Sequence, residues 1–156
     1  MKGYIPEKLY KKILGCMPVF CVDLVVRHYS NYKGQYGVML FKRTYEPSKN
    51  EWFVAGGRVL WGEKMEKAVH RKALEEIGMK VKIIKRIGTY EPIFDKNKQG
   101  TRGGTHNITV GFLVEPIGKI NLSLNKEYSD WKVIWKPDNK LPKYVKDLIK
   151  DSEVFK

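Results

Sequence analysis

The chain has 156 residues, of which 42% are hydrophobic and 12% aromatic, a composition typical of one folded domain with a sizeable core. No stretch approaches the roughly 18 uninterrupted apolar residues of a membrane span, and the first residues, MKGYIPEKLYKK, lack the apolar centre of a secretion signal. We therefore expect a cytoplasmic protein with a single domain over residues 1–156 and no membrane partner.

The formal net charge of +13 favours an anionic partner, whether a nucleotide, a nucleic acid or a membrane surface. Most of the excess comes from lysines spread along the whole chain, as in the C-terminal segment DNKLPKYVKDLIKDSEVFK. A charge run is most often a solvated face, so the charge alone identifies no partner.

The two cysteines predict neither a disulfide nor a zinc site. Cys16 and Cys21 stand an odd number of positions apart in an extended apolar run, which places them on opposite faces of one strand. Two cysteines are also too few for a Cys-based zinc site, so we expect both thiols to be buried.

The first third of the chain predicts a helix followed by strands. Pro6 suits the first turn of a helix that ends at Leu14, before Gly15. The apolar runs that follow predict strands over residues 19–27, 36–43 and 52–54. A turn at 31–34 and a loop around Pro47 separate these strands.

The remaining segments complete a layered fold. The strongest helix covers residues 63–77 and is closed by Gly78, and a second helix covers 142–149. Further strands are predicted over 82–90, 105–114 and 130–135, and the polar segment DKNKQGTRGG is predicted to be a mobile loop. Strands on both sides of a central helix, with helices near both ends, predict an α/β fold in which helices enclose a central mixed β-sheet.

The central helix carries two different faces. Val69, Ala73, Leu74 and Ile77 form an apolar arc that should pack on the sheet. A second arc places a lysine, Lys72, between two glutamates at i+3 and i+4, and places Arg71 one turn before the first of them. These two glutamates are Glu75 and Glu76.

Gly56 and Gly57 precede this helix, and a glycine pair lets backbone approach a ligand closely and offer a carbonyl. Carboxylates on one helical face beside such a loop form an oxygen-rich site that suits Mg²⁺ with phosphate. An ordinary exposed helix with Glu–Lys pairs is the alternative interpretation of the helix alone.

The spacing of the segment decides between these interpretations. Gly57 is followed by five residues and Glu63, then by seven residues and Arg71, and the helix ends in Glu75-Glu76, one residue, Gly78 and apolar Met79. This arrangement resembles the Nudix box, G-x5-E-x7-R-E-U-x-E-E-x-G-U, in which U is a bulky apolar residue. The chain departs from the box at two positions, where it has Lys72 in place of the first Glu of the R-E pair and the small Ala73 at a U position.

The resemblance extends beyond the box. The segments LFKRTYEPSKNEWFVAGGRV, VDLVV, THNITVGF and NKEYSDW resemble the GDP-mannose mannosyl hydrolases, a branch that cleaves GDP-sugars at the sugar carbon. This resemblance implies a Nudix-type α/β/α sandwich, Mg²⁺ or Mn²⁺ as cofactor, a nucleoside diphosphate sugar such as GDP-mannose as substrate, and a homodimer.

The resemblance also implies roles for individual residues. That branch lacks the same glutamate and binds a single metal ion, so Lys72 marks a reduced metal site, because an ammonium among the glutamates competes with a second cation. Arginines at the matching positions contact the diphosphate or orient groups around the metal, and an acidic residue lies near the sugar. Carried over by position, the resemblance implies that the metal ligands of this chain are the Gly56 carbonyl, Glu76, Glu127 and Glu75, that Arg43 and Arg58 contact the diphosphate, that Arg71 is the orienting arginine, and that Asp23 is the acidic residue.

Two positions depart from the branch. Its catalytic base is a histidine where this chain has Tyr128, and a site tyrosine is replaced by Asn107. By position, Tyr128 is expected among the catalytic residues, with Arg43, Arg58, Arg71 and Glu127, and Asn107 among the substrate-binding residues. Tyrosine, with an ordinary pKa of about 10, is a poor base at neutral pH. Attack at the sugar carbon and attack of water on phosphorus, with Glu127 as base, therefore both remain open. Of the histidines that could substitute, His70 is expected to pack against the sheet and His106 to approach the substrate.

Two other functions compete with nucleotide-sugar hydrolysis. One is a Nudix pyrophosphatase that acts on another nucleotide, and the other is a non-catalytic domain that binds nucleotide or RNA. The box residues favour an enzyme with a small nucleotide substrate over a nucleic-acid binder, because nothing about folding requires all six together. These six residues are Gly56, Glu63, Arg71, Glu75, Glu76 and Gly78.

Overall fold

The computed structural model describes residues 3–97 and 103–156. Within them the chain forms the helices α1 (Glu7–Leu14), α2 (Met65–Ile77) and α3 (Lys143–Ser152). The strands are β1 (Val19–Ser30), β2 (Gln35–Arg43), β3 (Trp52–Phe53), β4 (Ala55–Arg58), β5 (Val81–Tyr90), β6 (Ile93–Phe94), β7 (Thr105–Pro116) and β8 (Tyr128–Ile134).

Strand β1 is the centre of the sheet. One edge of β1 pairs in parallel with β7, and the other edge pairs antiparallel with two different strands. The second half of β1, from Val26, pairs with β2, whereas Cys21 to Leu24 pair with β4. Strand β2 in turn pairs with β3 beyond its contact with β1. Where β1 and β2 no longer pair with each other, β4 therefore pairs with β1 and β3 pairs with β2.

The sheet is mixed and is covered on both faces, as the sequence predicts. One face packs against α2, where Val22, Leu24 and Val26 of β1 share a core with buried residues of that helix. The opposite face packs against α3, where Val25 of β1 meets Leu148. Alternate residues of a strand point to opposite faces, so β1 serves both layers of the α/β/α sandwich.

The predicted helix face is partly wrong. Val69, Ala73 and Ile77 are fully buried, but Leu74 is 50% exposed and His70 is exposed as well. The buried stripe instead extends toward Ala68 and Glu76, which centres it on Ala73. His70 and Leu74 are four residues apart and share the outer side of the helix, so His70 has no packing role against the sheet.

The prediction for the cysteines is wrong for Cys16. Strand β1 begins only at Val19, and Cys16 lies in an exposed turn after α1. The N–H of Cys16 donates to the Ile13 carbonyl and its thiol donates to the Lys12 carbonyl, which continues the helical geometry past Leu14. Cys21 is buried in β1, as predicted.

The helix α2 begins two residues later than predicted, because Glu63 folds back to accept the N–H of Leu60 and so precedes the first turn. Strands β4 and β6 were not predicted, since AGGR has no β-branched residue and β6 has only two residues. Residues 98–102 of the segment predicted to be a mobile loop lie outside the described residues. No helix in the described ranges is long and apolar enough to cross a membrane.

Candidate active site

A cleft of about 400 Å³ opens where β1 and β4 pair beside α2. The sequence predicted most of its functional lining. The predicted residues that line it are Asp23, Arg43, Gly56, Arg58, Glu76, Asn107 and Glu127. Lys72 also lines the cleft. Residues as far apart in the chain as Asp23 and Glu127 thus meet in one place.

The carboxylate of Glu76 lies at the base of this cleft and is only 4% exposed. Its Oε2 accepts hydrogen bonds from the Gly56 N–H at 3.1 Å and from the Tyr128 hydroxyl at 2.6 Å. Its Oε1 accepts a hydrogen bond from Lys72 Nζ at 2.9 Å. A buried charge is tolerated only when it is paired and hydrogen-bonded, and here both oxygens of Glu76 meet that condition.

The ammonium of Lys72 lies between the two glutamates, as the helical spacing predicted. Besides its contact with Glu76, Nζ is 3.7 Å from Glu75 Oε2, and the side chain is 18% exposed. A Cβ added at Gly57 would lie 2.7 Å from Lys72 Cε, and the φ of Gly57 is +154°, a backbone conformation that side chains disfavour. Glycine at position 57 therefore gives the lysine room above the strand.

Arg71, on α2, forms hydrogen bonds and ion pairs with its neighbours on the helix and in the segment before it. Its Nε and Nη2 donate to both oxygens of Glu63, at 2.7 and 2.8 Å, and its Nη1 donates to Glu75 at 2.9 Å. Nη2 also donates to the Arg58 carbonyl at 3.0 Å, which ties the helix to the end of β4. The guanidinium holds the pKa of Glu63 below its ordinary value. Arg71 thus positions Glu75 and the backbone of Arg58.

Asp23 lies on β1 directly opposite Gly56 of β4. A Cβ at Gly56 would come within 2.1 Å of Asp23 Oδ1, so the carboxylate occupies space that only glycine leaves open. The Tyr144 hydroxyl of α3 donates to Asp23 Oδ2 at 2.6 Å. Burial raises the pKa of Asp23 to about 6, and the hydrogen bond from Tyr144 acts against that rise.

Arg43 and Arg58 present guanidinium groups to the cleft from two strands. Arg43 Nε donates to the Pro47 carbonyl at 2.6 Å, and Arg58 Nη2 donates to the Gly3 carbonyl at 2.8 Å. Each guanidinium also lies near an aromatic ring, since Arg43 is 5.6 Å from the Phe53 centroid and Arg58 is 5.8 Å from that of Tyr10. Two planar guanidinium groups in one cleft, each able to donate two parallel hydrogen bonds, suit the paired phosphates of a nucleoside diphosphate.

Tyr128 and Lys72 donate hydrogen bonds to different oxygens of Glu76. Tyr128 donates to Oε2, and Lys72 donates to Oε1. Tyr128 is buried beside Phe41, and burial together with the charge of Glu76 raises its pKa well above 10. A phenol in this state remains protonated at neutral pH and donates its proton in a hydrogen bond. The geometry therefore gives Tyr128 a positioning role and argues against its assignment as a catalytic residue.

Other predicted residues are placed less centrally. Asn107 lines the cleft, and its buried side-chain oxygen has no hydrogen-bond partner among the described residues. His106 is absent from the lining, and its Nε2 is buried without a partner in the described part of the chain. Tyr144 was missed, because a tyrosine in the first turn of an amphipathic helix gives no sequence signal of a contact with β1.

Comparison with known proteins identifies the family. A family profile described as the NUDIX domain matches residues 23–153. The chain belongs to the Nudix hydrolase family. The low-salt glycan biosynthesis protein Agl8 of Haloferax volcanii is 35% identical over 141 residues, which cover 90% of this chain and 86% of that protein.

Solved Nudix structures share the fold at low sequence identity. The MutT Nudix hydrolase of Burkholderia pseudomallei superposes with a TM-score of 0.69 at 17% identity, over 86% of this chain and 98% of that chain. The Nudix domain of Shewanella oneidensis NrtR, solved with ADP-ribose, gives a TM-score of 0.66 at 19% identity, over 96% and 92% of the two chains. These matches support the α/β assignment and the central mixed sheet.

Nudix hydrolases generally use divalent metal ions, and the cleft can be tested for such an ion. No group of three or more His, Cys, Asp or Glu side chains in the described residues forms a preassembled metal cluster. Glu76, Glu127 and Gly56 nevertheless line one cleft with oxygen donors, the type that Mg²⁺ and Mn²⁺ prefer. Lys72 already holds one oxygen of Glu76, so its ammonium would compete with a divalent ion for that carboxylate.

The raised pKa of Asp23 predicts a pH-dependent cost in stability. Because its folded pKa of about 6 exceeds the unfolded value of about 3.9, ionisation in the folded state is unfavourable. This cost is absent below about pH 4, grows between about pH 4 and pH 6, and levels off at about 3 kcal/mol by pH 7. Asp23→Asn should therefore gain stability relative to the wild type as pH rises from 4 to 7.

Urea unfolding of both proteins at pH 4, 5, 6 and 7 measures this difference. Asp130→Asn, which alters an exposed carboxylate, is the control and should show no such trend. A difference between Asp23→Asn and the wild type that stays constant with pH would contradict the assignment.

Removal of the Tyr128 hydroxyl should destabilise the fold. Tyr128→Phe keeps the ring against Phe41 but leaves Glu76 Oε2 with one fewer donor. A hydrogen bond to a charged group contributes roughly 1.5–3 kcal/mol, so the free energy of unfolding should fall by about that amount. Tyr32→Phe, at a residue 96% exposed, should change it by less than about 0.5 kcal/mol. Equal effects of the two substitutions in urea unfolding would disprove the role of Tyr128.

Proposed function

We propose that this protein is a Mg²⁺- or Mn²⁺-dependent hydrolase of a nucleoside diphosphate sugar, such as GDP-mannose. The observation that carries the proposal is the composition of the cleft beside α2. Arg43 and Arg58 supply cationic forks for a diphosphate, while Asp23 supplies a carboxylate that can accept hydrogen bonds from sugar hydroxyls. A nucleoside diphosphate sugar contains both chemical features in one molecule.

The similarity to a glycan biosynthesis protein adds support for a sugar substrate. That relative covers nearly the whole chain, and its name refers to glycan assembly. Nucleotide-activated sugars are the usual donors in such chemistry. The proposal also keeps the activity in one domain of residues 1–156, in a cytoplasmic protein that forms a homodimer and has no nucleic-acid partner.

Each residue of the cleft has a role in the proposed reaction. Arg43 and Arg58 hold the diphosphate and neutralise the negative charge that develops on it as the bond breaks. Glu76, Glu127 and the Gly56 carbonyl would hold the divalent ion, which supplies Lewis-acid stabilisation of a phosphate oxygen when bound. Asp23, held by Tyr144, fixes the orientation of the sugar.

A second candidate function is a pyrophosphatase reaction, in which water attacks phosphorus. The observation that favours it is the state of Tyr128, which occupies the position that the family resemblance assigns to a catalytic base but is a buried hydrogen-bond donor. Glu127 lines the cleft and can serve as the base in this route. The two routes break different bonds and leave different products.

Turnover of a panel of nucleoside diphosphate sugars and other nucleotides with Mg²⁺ in oxygen-18 water tests the proposal. Phosphorus NMR then locates the label, which enters phosphate if water attacks phosphorus and enters the sugar if water attacks carbon. Hydrolysis of one or more sugars in the panel supports the proposed function. Turnover confined to other nucleotides supports the pyrophosphatase, and binding without any turnover supports a non-catalytic domain.

Glu76→Gln should reduce that hydrolysis at least about 100-fold, because a neutral amide is a poorer ligand for Mg²⁺ than a carboxylate. Glu66→Gln is the matched control, since Glu66 is an exposed glutamate of the same helix, and it should retain wild-type turnover. Circular dichroism establishes that both variants fold. Full activity of Glu76→Gln would refute the assignment of Glu76 as the metal ligand.

A further inference from the structure

We infer that Lys72 is a substrate-binding residue whose ammonium group acts as a tethered cation for the diphosphate, at a place where the complete Nudix box would supply a metal-binding glutamate. This inference rests on the proposed function and gives a binding role to a residue at which the chain departs from the box.

The position of the ammonium supports this role. Lys72 Nζ lies 2.9 Å from Glu76 Oε1 and 3.7 Å from Glu75 Oε2, in the cleft that Arg43 and Arg58 also line. An ammonium carries three N–H donors and no acceptor, so two glutamates do not exhaust its donors. With 18% of its side chain exposed, Lys72 can reach an anion in the cleft.

The charged residues of α2 and of the loop just before it favour a tethered cation over a second metal ion. The three carboxylates of Glu63, Glu75 and Glu76 face the two cations Arg71 and Lys72. One negative charge therefore remains, whereas a glutamate at position 72 would leave three. A second divalent ion requires the larger net negative charge, because two metal ions close together repel each other unless carboxylates compensate their charges. The lysine supplies a single positive charge at that place without requiring an ion from solution.

The chemistry of lysine also suits an exchange of partners. Its ammonium is a compact point charge on a flexible stem, in contrast to the rigid fork of arginine. In the ligand-free protein it neutralises the buried carboxylate of Glu76. The remaining N–H donors of the ammonium are available to a phosphate oxygen without any metal ion, and a divalent ion bound to that carboxylate would leave the ammonium a further donor for phosphate. The space above Gly57 gives the lysine side chain room for this contact.

Calorimetric titration with GDP and UDP tests the inference. In EDTA, where no divalent ion contributes, Lys72→Met should weaken binding of the preferred nucleotide about 10-fold or more. Lys72→Arg keeps the charge and should retain most of the affinity. Lys67→Met removes an exposed lysine from the same helix and should stay within about 2-fold of the wild type.

Titration of the nucleotide-free proteins with Mn²⁺, followed by electron paramagnetic resonance, gives an independent readout. Lys72→Met should bind Mn²⁺ about 10-fold more tightly than the wild type, because the competing ammonium is gone. Lys72→Glu should bind a second ion. Thermal melting establishes that each variant folds, and Lys72→Gln replaces Lys72→Met if the latter does not.

The outcomes separate the inference from the proposed function. If Lys72→Met binds nucleotide and Mn²⁺ as Lys67→Met does, Lys72 is only a structural partner of Glu76 and the inference is overturned, while the proposed function stands. If the wild type binds neither GDP nor UDP with or without Mn²⁺, the proposed function and the inference both fall.

Discussion

The buried carboxylate of Glu76 is the feature on which the candidate site depends. Its 4% exposure would make an isolated charge costly, so the surrounding structure supplies a backbone N–H, a phenol and an ammonium to its two oxygens. These donors come from β4, β8 and α2 respectively. One charged group thus links α2 to β4 and to β8, and the position of each of these strands constrains the site.

The geometry of the sheet explains why the cleft forms there. The second half of β1 pairs with β2 and its first half pairs with β4, and the close pairing of Asp23 with Gly56 occurs in that first half. Side chains are excluded from positions 56 and 57, so a carboxylate and an ammonium approach the backbone of β4 from two directions. Helix α3 then reaches the same point through Tyr144, which makes the outer layer of the sandwich part of the site.

The sequence predicted those features that follow from local periodicity and spacing. Lys72 between Glu75 and Glu76 follows from the helical repeat, and the mixed sheet with its helices follows from the order of the elements. The glycine pair before the helix marked a close approach of backbone, which Gly57 and Lys72 display. The cleft residues on β1, β2, β4 and β7 were assigned by resemblance, and the fold brings them together.

Features that depend on long-range pairing were not predictable in this way. Strand β4 exists because β1 offers it an edge and not because AGGR favours a strand. Leu74 appeared to belong to the apolar arc, yet the contact of α2 with the sheet is centred one position earlier, at Ala73. Tyr144 and Tyr128 act through partners 121 and 52 positions away, respectively, and no local pattern marks such contacts.

The central claim is that a lysine takes the place of a second metal ion beside Glu76. The most direct measurement is the anomalous scattering of crystals grown with GDP and Mn²⁺. The account predicts one Mn²⁺ peak, bound to Glu76 and the Gly56 carbonyl, with Lys72 Nζ within hydrogen-bonding distance of a phosphate oxygen. Two Mn²⁺ peaks bridging Glu75 and Glu76, with Lys72 displaced into solvent, would contradict it.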